Sequence, residues 1–259
     1  MSTVTAPPEI DYPESDGKPM GETELHRNWT IRILEILQQR YRGQSVYVAS
    51  DLLLYYEEGS PTKFVVPDCF VVRNCATHLR RTFQTWNERR VPDVVIEVTS
   101  RSTSRTDTVD KPIIYEMMGV QEYFLYDPTS DYLESSLQGY RLIDNQLREI
   151  PPIDGRLQCL TLGVELSVHD QELQIVDFET GVEQLTEAEF EHAARLDAEQ
   201  GRERERRAKE RERLEKERER EAKDSEREAK EREHTARVAA ENRVRELEEE
   251  LRRLRDNQS

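Results

Sequence analysis

No stretch of this 259-residue chain stays apolar for the ~18 residues that a membrane-spanning helix needs, so no transmembrane helix is expected. Cysteine is scarce. Cys69, Cys75 and Cys159 form no CxxC pair, which removes a zinc signature and suits a reducing cytoplasm. The five histidines, at 26, 78, 169, 192 and 234, are scattered, so their spacing describes no His-based metal site. The opening segment "MSTVTAPPEIDYPESDGKPM" lacks the apolar core of a signal peptide. Its Pro, Ser and acidic content reads as a flexible arm over residues 1–20.

Positive charge is also short. Residues 201–259 hold 20 Lys/Arg and 19 Asp/Glu. Of the totals of 38 and 54, that leaves 18 basic and 35 acidic residues in positions 1–200, a net of −17. Broad attraction to nucleic acid needs a basic face, so only a small basic site within an acidic body is expected.

What is present reads as alternating elements. Leu25, Trp29, Ile33 and Leu37 recur every four residues, with Leu34 and Tyr41 widening the stripe. This predicts an amphipathic helix over 23–42, capped by Thr23. "SVYVASDLLLYYEE" and "FVVPDCFVV" are β-like runs around the turn "GSPTK", and "PDVVIEV" is a strand apolar enough to be buried on both faces. A helix is expected over roughly 108–119, with Thr108 as cap, Pro112 in its first turn and Gly119 ending it. "QEYFLYD" follows as a strand, and short strands and turns fill 131–180. The order implies an α/β or α+β sheet with a crossover joining strands 92–98 and 122–127.

From about 186 the chain is mostly Glu, Arg, Lys and Ala, without proline and with Gly201 alone, a helix-forming composition. Ala240, Val244, Leu247, Leu251 and Leu254, spaced 4, 3, 4, 3, form a short coiled-coil seam that predicts a parallel homodimer. The expected domains are therefore the arm over 1–20, a body over 21–182 and a charged helical tail over 183–259.

Three acids stand in apolar company: Asp68 in "VVPDCFVV", Asp93 in "VPDVVIEV", and Glu97 four residues on. Strand alternation puts 93 and 97 on one face. Carboxylates converging at a sheet end make a hard-oxygen site for Mg²⁺ or Mn²⁺, with Lys111 available as a nearby positive charge. Each Pro-Asp pair also reads as a plain strand start. Glu97, between Ile96 and Val98, has no turn role. "SRSTSRTD" reads equally as a polar loop or as a phosphate-positioning segment.

The stretch 91–128 closely resembles the Uma2-type putative restriction endonucleases of the PD-(D/E)XK nuclease-like superfamily. The matching positions are Pro67–Asp68, Pro92–Asp93, Glu97–Val98, Ser100, Ser102–Thr103, Asp107, Lys111, Tyr115, Gly119–Val120, Glu122–Tyr123 and Asp127–Pro128. The resemblance covers about residues 20–180. It implies a restriction-endonuclease-like mixed β-sheet core flanked by helices, with a metal on Asp68 and Glu97. The superfamily's lysine two residues past the acid is Thr99 here, and Lys111 on the next helix is implied to replace it. Asp93 joins the candidate catalytic set. Ser100 and the pair Glu22 and His26, four apart at the first helix, are candidate accessory residues.

Two functions follow. One is a Mg²⁺-dependent endonuclease acting on the phosphodiester bonds of nucleic acid. The other is a catalytically inactive module of the same fold that recruits a partner through its tail.

Overall fold

The structure, a computed structural model, describes residues 10–17 and 23–256, with side chains through Glu249. Thr23 caps helix α1 (Glu24–Arg40), its side chain accepting from the His26 amide. The chain continues through β1 (Val46–Ala49), β2 (Leu54–Tyr55), β3 (Phe64–Val65), β4 (Cys69–Arg73), β5 (Phe83–Gln84), the short helix α2 (Thr85–Glu88) and β6 (Val94–Val98). A π-helical turn, Thr106–Asp110, runs directly into α3 (Lys111–Met118). Then come β7 (Glu122–Tyr126), β8 (Leu137–Ile143), β9 (Gln146–Glu149), β10 (Leu157–Cys159), β11 (Val164–His169), β12 (Glu172–Asp177) and the long helix α4 (Glu187–Asp256).

Six strands form the main sheet in the order β1-β4-β6-β7-β8-β9. Within this sheet only β6 and β7 pair in parallel, and a parallel pair needs a crossover, which α3 supplies. All five residues of β6 and of β7 are buried, as expected of strands covered on both faces. Alternation sorts them. Val94, Ile96, Val98, Phe124 and Tyr126 face α1 and the three-stranded sheet β10-β11-β12. Val95, Tyr123 and Leu125 face the opposite way, packing with Phe70, Val72 and Tyr115 of α3.

Several sequence expectations shift in detail. The two long β runs are each broken in two, and Asp51, at φ 50°, turns the chain between β1 and β2. Leu25 of the expected stripe is exposed and His26 is buried in its place. Helical structure begins at Ser104 rather than 108. Thr108 is not a cap; its hydroxyl donates back to the Ser104 carbonyl at 2.6 Å, inside the helix. Of the arm expected over 1–20, residues 10–17 are described, and Tyr12 packs on Tyr55 and Trp86.

By contact density the chain divides into one compact unit over 1–191 and a second over 192–259. Thr186 and Glu189 form a capping box at the start of α4. The Glu189 amide donates to the Thr186 hydroxyl and the Thr186 amide to the Glu189 carboxylate. Among the described residues no helix is long and apolar enough to cross a membrane.

Glu122 fastens the small sheet to the large one. Its carboxylate accepts from Arg141 Nε at 2.8 Å and from the amides of Leu160 and Thr161 at 3.1 and 2.8 Å. Burial opposes ionisation, yet these donors hold its pKa below the ordinary glutamate range. A depressed carboxylate contributes stability that is present above the unfolded pKa and lost as pH falls through the folded one. Glu122→Gln is therefore expected to cost roughly 3 kcal/mol at pH 7, where a buried pair is broken. Thermal melts against pH should show that gap closing below the ordinary glutamate range. A gap constant down to acid would mean the carboxylate charge is not what anchors the sheet.

Candidate functional site

The β4–β6 ladder ends at the pair Cys69 and Ile96. One step beyond, side chains take over from backbone. The Asp68 amide donates to Glu97 Oε2 at 2.9 Å, and the Val98 amide donates to Asp68 Oδ2 at 2.7 Å. Each strand is thus closed by the other's carboxylate. The Thr99 amide meanwhile turns to the Tyr126 carbonyl at 2.7 Å, so β6 finishes against β7.

Three further side chains converge there. His26, placed by the capped first turn of α1, brings Nε2 to 3.1 Å from Asp68 Oδ2. Lys111 Nζ lies 2.9 Å from Glu97 Oε2 and 3.0 Å from Asp107 Oδ1. Tyr115, one turn further along α3, donates its hydroxyl to Glu97 Oε1 at 2.5 Å. Glu97 and Asp107 are fully buried, Asp68 is nearly so, and the Lys111 side chain is 11% exposed.

The helix that carries Lys111 is shaped by its sequence. Ser100 starts it: the Ser100 carbonyl accepts from the Ser104 amide, and its hydroxyl joins those of Ser102 and Thr103. Further along, the Lys111 amide bonds to the Thr106 carbonyl in π register. Pro112 has no N–H to extend that register to the Asp107 carbonyl. The orphaned carbonyl is instead met by the hydroxyl of Tyr123, at 2.6 Å. The same local geometry brings Asp107 and Lys111, four apart, together.

Burial pushes Glu97 well above the ordinary carboxylate range, and the charges of Asp68 and Asp107 add to that, against Lys111. Asp107 is raised for the same first reason. For Asp68 burial is outweighed by the His26 hydrogen bond, the Lys111 charge and the Val98 amide, so its pKa lies below the usual aspartate value. Burial favours a neutral Lys111, but Glu97, Asp107 and Asp68 together raise its pKa.

Of the residues singled out from the sequence, Asp68, Glu97, Lys111 and His26 come together. Asp93 does not. Its carboxylate accepts from the Arg73 amide at 2.7 Å and pairs with the Arg73 guanidinium at 3.2 Å, at the other end of β6. A shared face does not bring the two acids together, because Asp93 precedes the five-residue strand and Glu97 stands near its far end. Ser100 organises the helix start. Glu22 lies outside the described residues. Asp107, Tyr115 and Tyr123 stood in the matched pattern without a role. The four-residue spacing Asp107–Lys111–Tyr115 was a usable signal, whereas nothing local marked Tyr123.

The donor set suits a hard divalent cation. Three buried carboxyl groups face one ammonium and a histidine. Among the hydrogen bonds of the described residues, none engages Asp68 Oδ1, and Glu97 Oε1 accepts only the Tyr115 hydroxyl. No three His, Cys, Asp or Glu side chains among the described residues enclose a metal-sized space. An ion held by two carboxylates and otherwise by water is the coordination that Mg²⁺ accepts.

Tyr123→Phe is expected to cost about 1–3 kcal/mol by leaving the Asp107 carbonyl unpaired in the core. In a Pro112→Ala background a restored amide can reach that carbonyl, and the loss in melting temperature should shrink. An equal loss in both backgrounds would refute this account of the π turn.

No curated protein matches the chain. A crystal structure titled as a putative nuclease belonging to DUF820, from Anabaena variabilis, matches with 17% identity and a TM-score of 0.42, covering 56% of this chain and 76% of that one. The family described as "Uma2: Putative restriction endonuclease" matches residues 5–187, which takes in the whole cluster. The chain belongs to the Uma2 family of putative restriction endonucleases.

Proposed function

We propose that residues 21–182 are a Mg²⁺- or Mn²⁺-dependent endonuclease that hydrolyses phosphodiester bonds, with Asp68 and Glu97 as the cation-holding carboxylates. The observation that supports this most is the mutual clasp of Asp68 and Glu97 over the end of the β4–β6 ladder, with Lys111 against Glu97. A divalent ion there supplies positive charge for the developing phosphorane and a more acidic water. The chain's own groups have separate parts. Tyr115 and the Asp68 amide fix the plane of the Glu97 carboxylate. His26 and the Val98 amide fix Asp68. Lys111 is ion-paired with Glu97 and Asp107, which raise its pKa, and as an ammonium it would donate to a water or a phosphate oxygen.

The acidic body favours few phosphate contacts over a long basic track. It also supports the competing reading, an inactive nuclease-fold module. Cleavage of plasmid DNA, single-stranded DNA and RNA, with and without Mg²⁺, decides between them. The wild type is expected to cut at least one substrate only with the cation, and Glu97→Ala to lose at least about a hundredfold, the scale of a lost electrostatic group. Alongside, Mn²⁺ at a hundred times its Kd should stabilise the wild type by about 2.7 kcal/mol. Asp68→Ala with Glu97→Ala should abolish that response. An unchanged response in the double variant removes the cation from this site.

For the tail, we infer a parallel homodimer confined to its C-terminal end. The seam positions run back along α4 with a seven-residue period. Val244 is preceded by Arg237 and by Lys230, Lys223, Lys216 and Lys209. Leu247 and Ala240 are preceded by Glu233, Glu226, Glu219 and Glu212. These charges pair within one helix, Glu205 with Lys209 and Glu226 with Lys230, each at 2.6 Å. An in-register parallel partner would set Lys on Lys and Glu on Glu through that region. Association is therefore limited to the part where Val244 and Leu247 stand exposed, flanked by Arg243 and Glu248 at complementary positions. Sedimentation at micromolar concentration should show a dimer for the full chain and a monomer for a chain ending at residue 190. A dimer that survives Leu247→Asp with Leu251→Asp would place the interface elsewhere.

A further inference from the structure

Asp107 has no assigned part in the chemistry above, yet its situation is costly. It is fully buried, and neither of its carboxylate oxygens completes a hydrogen bond among the described residues. Its charged neighbour is Lys111 Nζ, 3.0 Å from Oδ1, and the Thr103 side chain also favours the ionised form. A buried carboxyl in that condition has to be neutralised, by a proton or by a cation beside it. The backbone around it is also specialised. The π turn, the amide missing at Pro112 and the Tyr123 hydroxyl on the Asp107 carbonyl together fix where this side chain stands.

Lys111 and a bound divalent ion would compete for the same atom, since the ammonium sits 2.9 Å from Glu97 Oε2. If Glu97 were its sole anionic partner, cation entry would either be opposed by the ammonium or drive it out of the site. Asp107 offers a second seat that Lys111 already touches.

We propose that Asp107 is a positioning residue for Lys111: it retains the ammonium beside the site when a divalent cation takes over the Glu97 oxygens. This rests on the cation-site reading given above. Asp107 then acts on the cation only through Lys111, and that dependence separates it from a direct ligand and from a residue needed merely for folding.

The test is a double-mutant cycle read as Mn²⁺ affinity by calorimetry on the full-length chain, with wild type, Asp107→Asn, Lys111→Met and the double variant. Asp107→Asn is expected to weaken Mn²⁺ binding at least about tenfold when Lys111 is present and less than about threefold when residue 111 is methionine, a coupling within the range seen for contacting residues. Equal weakening in both backgrounds would make Asp107 a ligand or a simple source of field and overturn the proposal. So would affinity left unchanged in the single variant. Near-ultraviolet circular dichroism checks folding. If Asp107→Asn does not fold, Asp107→Ser is carried through the same two backgrounds. Failure of the wild type to bind Mn²⁺ at all would instead defeat the cation site itself, an outcome distinct from wild-type binding that ignores Asp107.

Discussion

Much of this domain depends on an exchange of two hydrogen bonds, Asp68 amide to Glu97 and Val98 amide to Asp68. Backbone pairing between β4 and β6 could have continued for another residue. Substituting carboxylates for that last rung leaves two ionisable groups rigidly held at a sheet end. Bonds from an amide to a carboxylate are stronger than neutral ones, so the substitution need not weaken the sheet. It does oblige the surroundings to balance buried charge. His26 from α1, Lys111 and Tyr115 from α3, and the crossover that lays α3 beside β6, all meet that obligation.

The shared family pattern separates into two kinds of residue once their partners are known. Glu122 and Asp127 are acids in the same stretch as the cluster, but both are used in construction. Glu122 joins two sheets. Asp127 accepts from the amides of Thr129, Ser130, Tyr132 and Leu133 and so shapes the turn after β7. Their backbone and guanidinium donors hold both below the ordinary carboxylate range despite burial. Glu97 and Asp107 are raised instead, chiefly by burial, with neighbouring carboxylates adding to it. The two kinds differ in how far local donors offset burial.

The sequence was most legible where the physics is local. The cap at Thr23, the buried strand 94–98, the crossover and the acid–lysine grouping all rest on short spacings and burial patterns. It was less legible where a distant residue decides. Leu25 fits the apolar stripe of α1 as well as any residue, but His26 is drawn inward by Asp68, forty-two positions away. Thr108 looks like a helix cap, yet Ser100 and its hydroxyl neighbours start the turn earlier. The alternation that places Asp93 and Glu97 on one face is sound, and still says nothing of Arg73 waiting at the near end of the strand. The π turn has a local cause in Pro112, but its rescue by Tyr123 comes from the next strand.

The three cysteines acquire a meaning from this packing. Cys69, Cys75 and Cys159 are all buried as free thiols. Burial raises the pKa of each, and for Cys69 the charges of Asp68 and Glu97 push in the same direction, as Glu122 does for Cys159. Only a thiolate is a strong nucleophile, so burial, aided by the carboxylates beside Cys69 and Cys159, withholds sulfur chemistry from the native body. Oxidants and alkylating reagents would meet these sulfurs chiefly when the sheet opens, which makes thiol reactivity a built-in gauge of how often it does.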